Sequence, residues 1–337
     1  MSQQHNHRIA IVGGSVGGLF AGVLLHRAGF DVRIFERSGR EMESRGAGLG
    51  AQADLLQLLH EVDRDEVAEN GVAVKERIFL DRKNAITDRQ SVPQKAVSWD
   101  RIFAAFRALI PDLNYKREST VHKVWQESDE CFIEFADGSV ESADIVIGAD
   151  GVGSVMREVV SPDDYPEYAG YVAWRGLVPE SQFNAEDKDV LLDRFAFYNM
   201  PHSQMLGYLI AGADGSIDVG QRRYNWVWYR QTRGESDFAK LFTDRHGHHR
   251  TYSLSPGAAS EETRLVLLRA ADEDLPRSFA AAVHAEPRPF AQAVFGYSAG
   301  QMSNGRLALL GDAACIVRPH TAMGVSEGSW RCHGTQR

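Results

Sequence analysis

Three groupings of glycine with an acid carry the chemistry that can be read from this chain of 337 residues. Gly13-Gly14-Ser15-Val16-Gly17-Gly18 follows a short apolar run and opens a helical stretch, and Glu36 closes the next apolar run. Glycines at Gly13 and Gly18 let a backbone approach a pyrophosphate at the helix N-terminus. A carboxylate at Glu36, flanked by Arg33 and Arg37, is placed for the hydroxyls of a nucleotide ribose. Ser15 stands where such a turn usually has its second glycine. Asp150-Gly151 and Gly311-Asp312 each end a further apolar run, at 145–147 and 306–310. Glycine beside aspartate at a strand end admits a ligand close to the backbone and supplies acceptors for its hydroxyls. The competing reading is a set of tight turns with no nucleotide in them.

These groups need strands and helices to position them. Arg8-Ile-Ala-Ile-Val12 reads as a strand, Leu19 to Ala28 as a helix stopped by Gly29, and Asp31 to Phe35 as the next strand, together a βαβ unit. A second glycine cluster, Gly46-Ala47-Gly48-Leu49-Gly50, precedes a helical stretch from Ala53 to about Leu59. Residues 99–110 read as a helix stopped by Pro111. Val121 to Trp125 and Cys131 to Phe135 read as antiparallel strands, with Asp137-Gly138 as a turn. The middle of the chain has few strong helical patterns. It has aromatic strands at 168–178, 194–198, 205–211 and 224–229, a composition suited to the wall of a pocket. Trp226 and Trp228 share one face there and Val227 and Tyr229 the other, so one of these faces is a candidate to stack on an aromatic ligand.

Composition narrows the function further. Hydrophobic residues make up 43% and charged residues 25%, as in soluble globular proteins, and a net charge of −9 disfavours nucleic acid. Cys131, Cys315 and Cys332 form neither a disulfide framework nor a CxxC pair, which points to a reducing cytoplasm. The uncharged stretch from Ile9 to Leu25 is broken by five glycines and is too short for a membrane span. His246, His248 and His249 lack the spacing of metal ligands and read as a solvated loop, so no metal is expected. His202, Tyr198, Tyr208 and His320 are pocket candidates by position alone.

Asp144-Ile-Val-Ile-Gly148-Ala149-Asp150-Gly151-Val-Gly-Ser154-Val-Met-Arg157 resembles the DG motif of group A flavoprotein monooxygenases, the para-hydroxybenzoate hydroxylase-like family. Gly305-Arg306-Leu-Ala-Leu-Leu-Gly311-Asp312-Ala313-Ala314 resembles their GD motif. Stretches at 168–176, 225–229 and 311–320 are similar to hydroxypyridine hydroxylases within that family. The resemblance implies an α/β fold: a Rossmann-like FAD-binding domain (1–75, 99–165 and 295–326) with an inserted, mostly antiparallel β-sheet substrate domain (76–98 and 166–294). It places FAD against Gly13, Gly14, Ser15, Val16, Gly18, Glu36, Arg37, Gly48, Asp150, Gly151, Arg157, Gly311, Asp312, Ala313, Pro319 and Gly324. Asp312 would lie near the ribityl chain and the segment Pro319 to Gly324 near the reactive ring.

The reaction so implied is hydroxylation of an electron-rich aromatic or hydroxypyridine. NADH or NADPH reduces FAD, O2 adds to the flavin at C4a, and the hydroperoxide transfers OH to the substrate. No catalytic side chain is assigned. Trp99 stands where many family members have a flavin-contacting arginine, with Arg101 two positions on, and Cys315 stands where a histidine often follows the GD motif. A homodimer is compatible with the sequence, which does not fix the oligomeric state. A flavin reductase or dehydrogenase without oxygenation, and an impaired FAD-binding remnant, are the alternatives. The remnant enters because residues 327–337 do not read as the alanine-rich helix that the resemblance places there. A back-translation of Glu327 to Gln336 that drops its first base reads Lys-Ala-Ala-Gly-Asp-Ala-Met-Ala-Leu. The expectation is a frameshift near the Ser326 codon, with an aberrant tail and a truncated C-terminal region.

Overall fold

The computed structural model describes residues 7–39, 48–232 and 234–319. Gly46, Ala47, His320, Gly324 and the 327–337 tail lie outside the described residues. The strands Arg8–Val12 and Asp31–Phe35 run as the alternation predicts, in parallel register with Ile11 opposite Ile34. The helix between them, Val16–Arg27, starts three residues earlier than its apolar spacing predicts, because Ser15 is extended and Val16 already turns inward. Gly18 and Gly22 then let this helix lie close on the sheet. A Cβ at Gly22 would come within 2.6 Å of the Ile34 side chain.

Six strands form the first sheet, in the order Ser303–Asn304, Leu307–Leu309, Ile145–Gly148, Arg8–Val12, Asp31–Phe35 and Tyr115–Lys116. Its four central strands are parallel, and they are buried on both faces, as such strands require. Ile9, Ile11, Val32 and Ile34 pack under the helices Val16–Arg27, Ala53–Glu61 and Trp99–Arg107. Ala10, Val12, Val146, Leu307 and Leu309 pack on the other side. They meet the helix Val155–Val160 and a three-stranded meander formed by Val121–Gln126, Cys131–Phe135 and Val140–Ala143.

The second sheet is mostly antiparallel. Its central strands are Phe290–Ser298, Glu167–Pro179, Arg223–Gln231, Ser203–Ile210, Arg194–Met200 and Glu76–Leu80, and only the last pair is parallel. One face carries Trp174, Trp226, Trp228 and Tyr224, all buried, against Leu267, Ala271, Phe279 and Val283 of the helices Glu261–Asp274 and Arg277–His284. This core position removes Trp226 and Trp228 as stacking partners for a ligand. The two helices are a departure from the strand-rich reading of the region. Ser260 caps the first by accepting from Thr263 N at 3.1 Å, with Glu261 and Glu262 in its first turn. The other face of the sheet turns toward the first. Gln94–Ser98, grouped by sequence with this sheet, pairs instead with Gly48–Gly50 and Val72–Val74 in a small sheet between the two.

One buried ion pair braces the second sheet. Arg222 donates through Nε and Nη2 to Glu180 at 2.8 and 2.7 Å and through Nη1 to Asp193 at 2.9 Å. Burial pushes the Glu180 carboxyl up, but the bidentate Arg222 outweighs it and the group titrates below its ordinary range. Its stabilisation is therefore full above the unfolded carboxylate pKa and is lost as pH falls through the folded value. Arg222→Met, which leaves Glu180 buried and unpaired, is expected to cost about 3–5 kcal/mol in urea unfolding at pH 7. The gap to the unsubstituted protein should narrow as the pH is lowered toward 3.

Candidate active site

The C-terminal ends of three parallel strands bring the glycine–acid groups to one edge of the first sheet. Gly13 has φ of 107°, and a Cβ there would lie 2.2 Å from Ala149 O, so the turn after the first strand touches the turn that carries Asp150. Gly14 is hemmed in by Tyr115 and Glu36. Its N–H donates to Glu36 Oε2 at 2.9 Å, and its carbonyl accepts from Tyr115 OH at 2.8 Å. Ser38 N donates to Glu36 Oε1 at 2.8 Å, so Glu36 is fixed at the strand end while each oxygen keeps a second lone pair for a hydroxyl. Arg37 is exposed beside it. Ser15 makes no side-chain cap, which leaves the first N–H groups of the helix Val16–Arg27 open to an anion.

Asp150 Oδ2 accepts from Val155 N at 2.8 Å and from Met156 N at 3.3 Å, while Oδ1 is buried with no partner. Burial pushes its carboxyl up against these bonds. Asp312 is exposed at the end of its strand; the atoms packed around it push its carboxyl up, with Arg157 opposing. Gly151 and Gly311, at φ of 79° and 58°, hold the left-handed backbone that each turn needs.

Arg157 is placed differently from the expectation that it faces the cofactor. Its guanidinium is buried and donates to Val152 O at 2.6 Å and Gly151 O at 3.3 Å on one loop. On the other it donates to Asp312 O at 2.7 Å and Ala313 O at 3.1 Å. The ring of Tyr297 covers it at 4.3 Å. Arg157 thus ties the two aspartate loops together. Gly48 likewise serves a close approach, since a Cβ on it would come within 2.5 Å of Tyr208 and Ile210. Ala313 is buried below the Asp312 loop, and Pro319 ends the described segment.

The inner face of the second sheet closes the site. Tyr208 OH donates to Gly48 O, Arg223 pairs with Asp100 at 2.9 Å, and Arg101 Nη1 donates to Gly215 O at 2.6 Å. That last bond occupies Arg101, and Trp99 stacks on Phe103 at 5.3 Å, so neither supplies the missing flavin arginine here. Cys315 lies in the short strand Cys315–Ile316, opposite Ser298. Tyr208 and Tyr229 are held well into their protonated range by burial, with Arg175 opposing in both. Tyr198 faces the core and His202 is an exposed turn residue, so neither lines this wall. Arg175 and Asn225 do line it; both lie in the stretches 168–176 and 225–229 that carry the resemblance, but neither was singled out there as a site residue. The His246–His249 loop is organised by Asp244, which accepts from His246 N and His248 N and pairs with Arg250. Among the described residues no cluster of three or more histidine, cysteine or acidic side chains could hold a metal ion.

A pyrophosphate-type helix N-terminus, a ribose carboxylate, and two glycine–aspartate loops under an aromatic wall fit FAD, and they define a flavin-dependent hydroxylase architecture. The FAD binding domain-like family matches residues 168–296. The chain is 30% identical to 2,6-dihydroxypyridine 3-monooxygenase of Paenarthrobacter nicotinovorans, over 94% of this chain and 79% of that protein. It is 26% identical to 6-hydroxynicotinate 3-monooxygenase of Bordetella bronchiseptica, over 96% of this chain and 80% of that one. Its structure superposes on 2,6-dihydroxypyridine-3-hydroxylase from Arthrobacter nicotinovorans with a TM-score of 0.87 at 28% identity, covering 95% of this chain and 80% of the other. The chain belongs to the group A FAD-dependent aromatic monooxygenases, and FAD is its cofactor.

Two predictions follow from the cradle's geometry. A Cβ at Gly17 meets nothing, whereas one at Gly18 would sit 1.9 Å from Gly13 O. Gly17→Ala should keep flavin and raise stability by about 0.5–1 kcal/mol. Gly18→Ala should lose about 1–3 kcal/mol and shed flavin on desalting. Arg157→Met should weaken FAD binding by roughly 10- to 100-fold in a flavin-fluorescence titration, with partial recovery in Arg157→Lys.

Proposed function

We propose that this chain hydroxylates a hydroxypyridine or a similarly electron-rich small aromatic, with NADH or NADPH as reductant and O2 as co-substrate. The observation that carries the reading is the convergence of the Gly13, Asp150 and Asp312 loops at one sheet edge, facing the aromatic wall that carries Tyr208 and Tyr229. FAD, when bound, supplies the electron transfer and the oxygen activation. The chain's own residues bind and position. The Val16–Arg27 helix N-terminus takes the pyrophosphate, Glu36 the adenosine ribose, and Asp150 and Asp312 the hydroxyls nearer the reacting ring. The apolar side chains of the wall exclude water, and Tyr208, whose O–H is committed to Gly48 O, and Tyr229 are kept protonated by burial and do not serve as bases near neutral pH.

On this reading residues 1–75, 99–165 and 295–326 serve mainly to hold FAD, and 76–98 and 166–294 mainly to enclose substrate. A homodimer working in the cytoplasm is part of the same proposal. Among the described residues no helix is long and apolar enough to cross a membrane. The test is the visible spectrum of protein loaded with FAD and desalted, followed by NAD(P)H oxidation with hydroxypyridines and product analysis. Retained flavin bands, substrate-stimulated oxidation and a product heavier by one oxygen are expected. Anaerobic reduction of an acceptor without hydroxylated product would replace the reading with a reductase, and a colourless protein would replace it with a remnant.

A further inference from the structure

Among the described residues, two arginines on the inner face of the second sheet, Arg175 and Arg77, make no ion pair and have a buried Nε without a hydrogen-bond partner. Arg175 is opposite Val227 in the antiparallel register, and Asn225, two residues from Val227 on the same face, is opposite Tyr208. Asn225 is itself opposite Leu177, so Arg175 and Asn225 are diagonal neighbours on one face of the strand pair. On either side of them lie apolar patches: Ala173, Val227 and Tyr229 in one, Tyr208 and Ile210 in the other. Arg175 Nε and Asn225 Nδ2 are both buried without a hydrogen-bond partner, and Asn225 is only 1% exposed. Of the other arginines on this face, Arg223 is paired with Asp100 at 2.9 Å, whereas Arg77 reaches only the neutral Gln94 at 3.5 Å, lies over the Phe195 ring at 5.9 Å, and has no orphaned amide beside it like Asn225. Arg175 as a whole is half-buried, but buried donors are costly unless a partner arrives, and two orphaned donors between apolar patches suit a flat apolar ligand with oxygens at one edge.

The position relative to the cofactor loops agrees. Tyr208, opposite Asn225, reaches Gly48. Tyr229, two residues from Val227, meets the Tyr171 ring edge-on at 6.1 Å, and Tyr171 lies within electrostatic reach of Arg318 beyond the Asp312 loop. The pair thus sits between the Gly48 segment and the segment that follows Asp312.

We propose that Arg175 and Asn225 form the substrate's anion subsite: Arg175 takes a negatively charged oxygen edge of the ring, and Asn225 Nδ2 donates to the same edge. This rests on the hydroxylase reading and narrows it to substrates that bind as anions. The charge could be a ring carboxylate or an ionised ring hydroxyl, and the geometry requires only that the oxygen edge be anionic.

The test is calorimetric titration of the FAD-loaded chain, with flavin content measured separately by absorbance. One arm compares 6-hydroxynicotinate with its neutral carboxamide. The other follows 2,6-dihydroxypyridine across the pH range of its ionisation. The expected result is tighter binding of the acid than of the amide, or of the ionised diol than of the neutral one. In Arg175→Gln that preference should shrink roughly 10- to 100-fold while binding of the neutral ligand changes little, and Arg175→Lys should restore part of it. Asn225→Ala should weaken the preferred anion in the same arm. The selective arm identifies the source of the charge. Equal loss for charged and neutral ligands, or no preference in either arm, overturns the subsite. Loss of flavin from the unsubstituted protein, read independently, instead sinks the hydroxylase reading on which the proposal stands.

Discussion

A single buried guanidinium sets the geometry of the cofactor cradle. Among the described residues Arg157 has no carboxylate as ion-pair partner, and its charge is dispersed over four backbone carbonyls belonging to two loops that are more than a hundred residues apart in sequence. In the first of these loops the Asp150 side chain caps the helix Val155–Val160, and in the second Asp312 is exposed. The Asp312 carboxyl is pushed up by its surroundings, and the Arg157 charge opposes that shift. Tyr297 covers the open side of the guanidinium, so the second sheet shares in holding the loops of the first.

The two sheets divide the work by which faces they bury. The first is covered on both sides and offers only its strand ends, where backbone and short polar groups are the available chemistry. The second is covered on one side by helices and leaves the other as a wall. Alternation along the strand Arg223–Gln231 sends the tryptophans into the core and Asn225, Val227 and Tyr229 to the wall. One strand thus builds both the packing and the ligand surface.

Much of this was legible in the residues. The alternating runs 8–12, 31–35 and 131–135 match their strands residue for residue, because strong apolar periodicity bounded by glycine or acid leaves little choice of register. The glycine–acid motifs were legible because only a few residue types suit such turns. Arg175 and Asn225 stand in stretches that carry the resemblance, but their lack of partners was not legible. Nothing in the sequence marks a polar residue inside an aromatic strand as unpartnered, since that depends on what the neighbouring strands and the small sheet place nearby. The helix Glu261–Asp274 was missed for a related reason. Its buried side is narrow, with Leu267, Ala270 and Ala271, and exposed Leu265 and Val266 blur the period. Arg157 was legible as a motif residue, but its role required the fold, because its partners are backbone atoms from a distant loop.

The interleaving of the two sheets constrains how the chain can be made. The strand Ile145–Gly148 has Arg8–Val12 on one side, and its other neighbour is Leu307–Leu309. During synthesis it therefore waits for some 160 further residues, an estimate from the sequence positions, with one edge unpaired. Glu76–Leu80 waits similarly for Arg194–Met200. A nascent chain of this design passes through a long interval with open apolar edges, and the intervening sheet has to collapse onto its own helices before the last parallel strand can seal the first. Vectorial emergence from the ribosome thus favours early closure of the tryptophan-rich core and late completion of the cradle around Arg157.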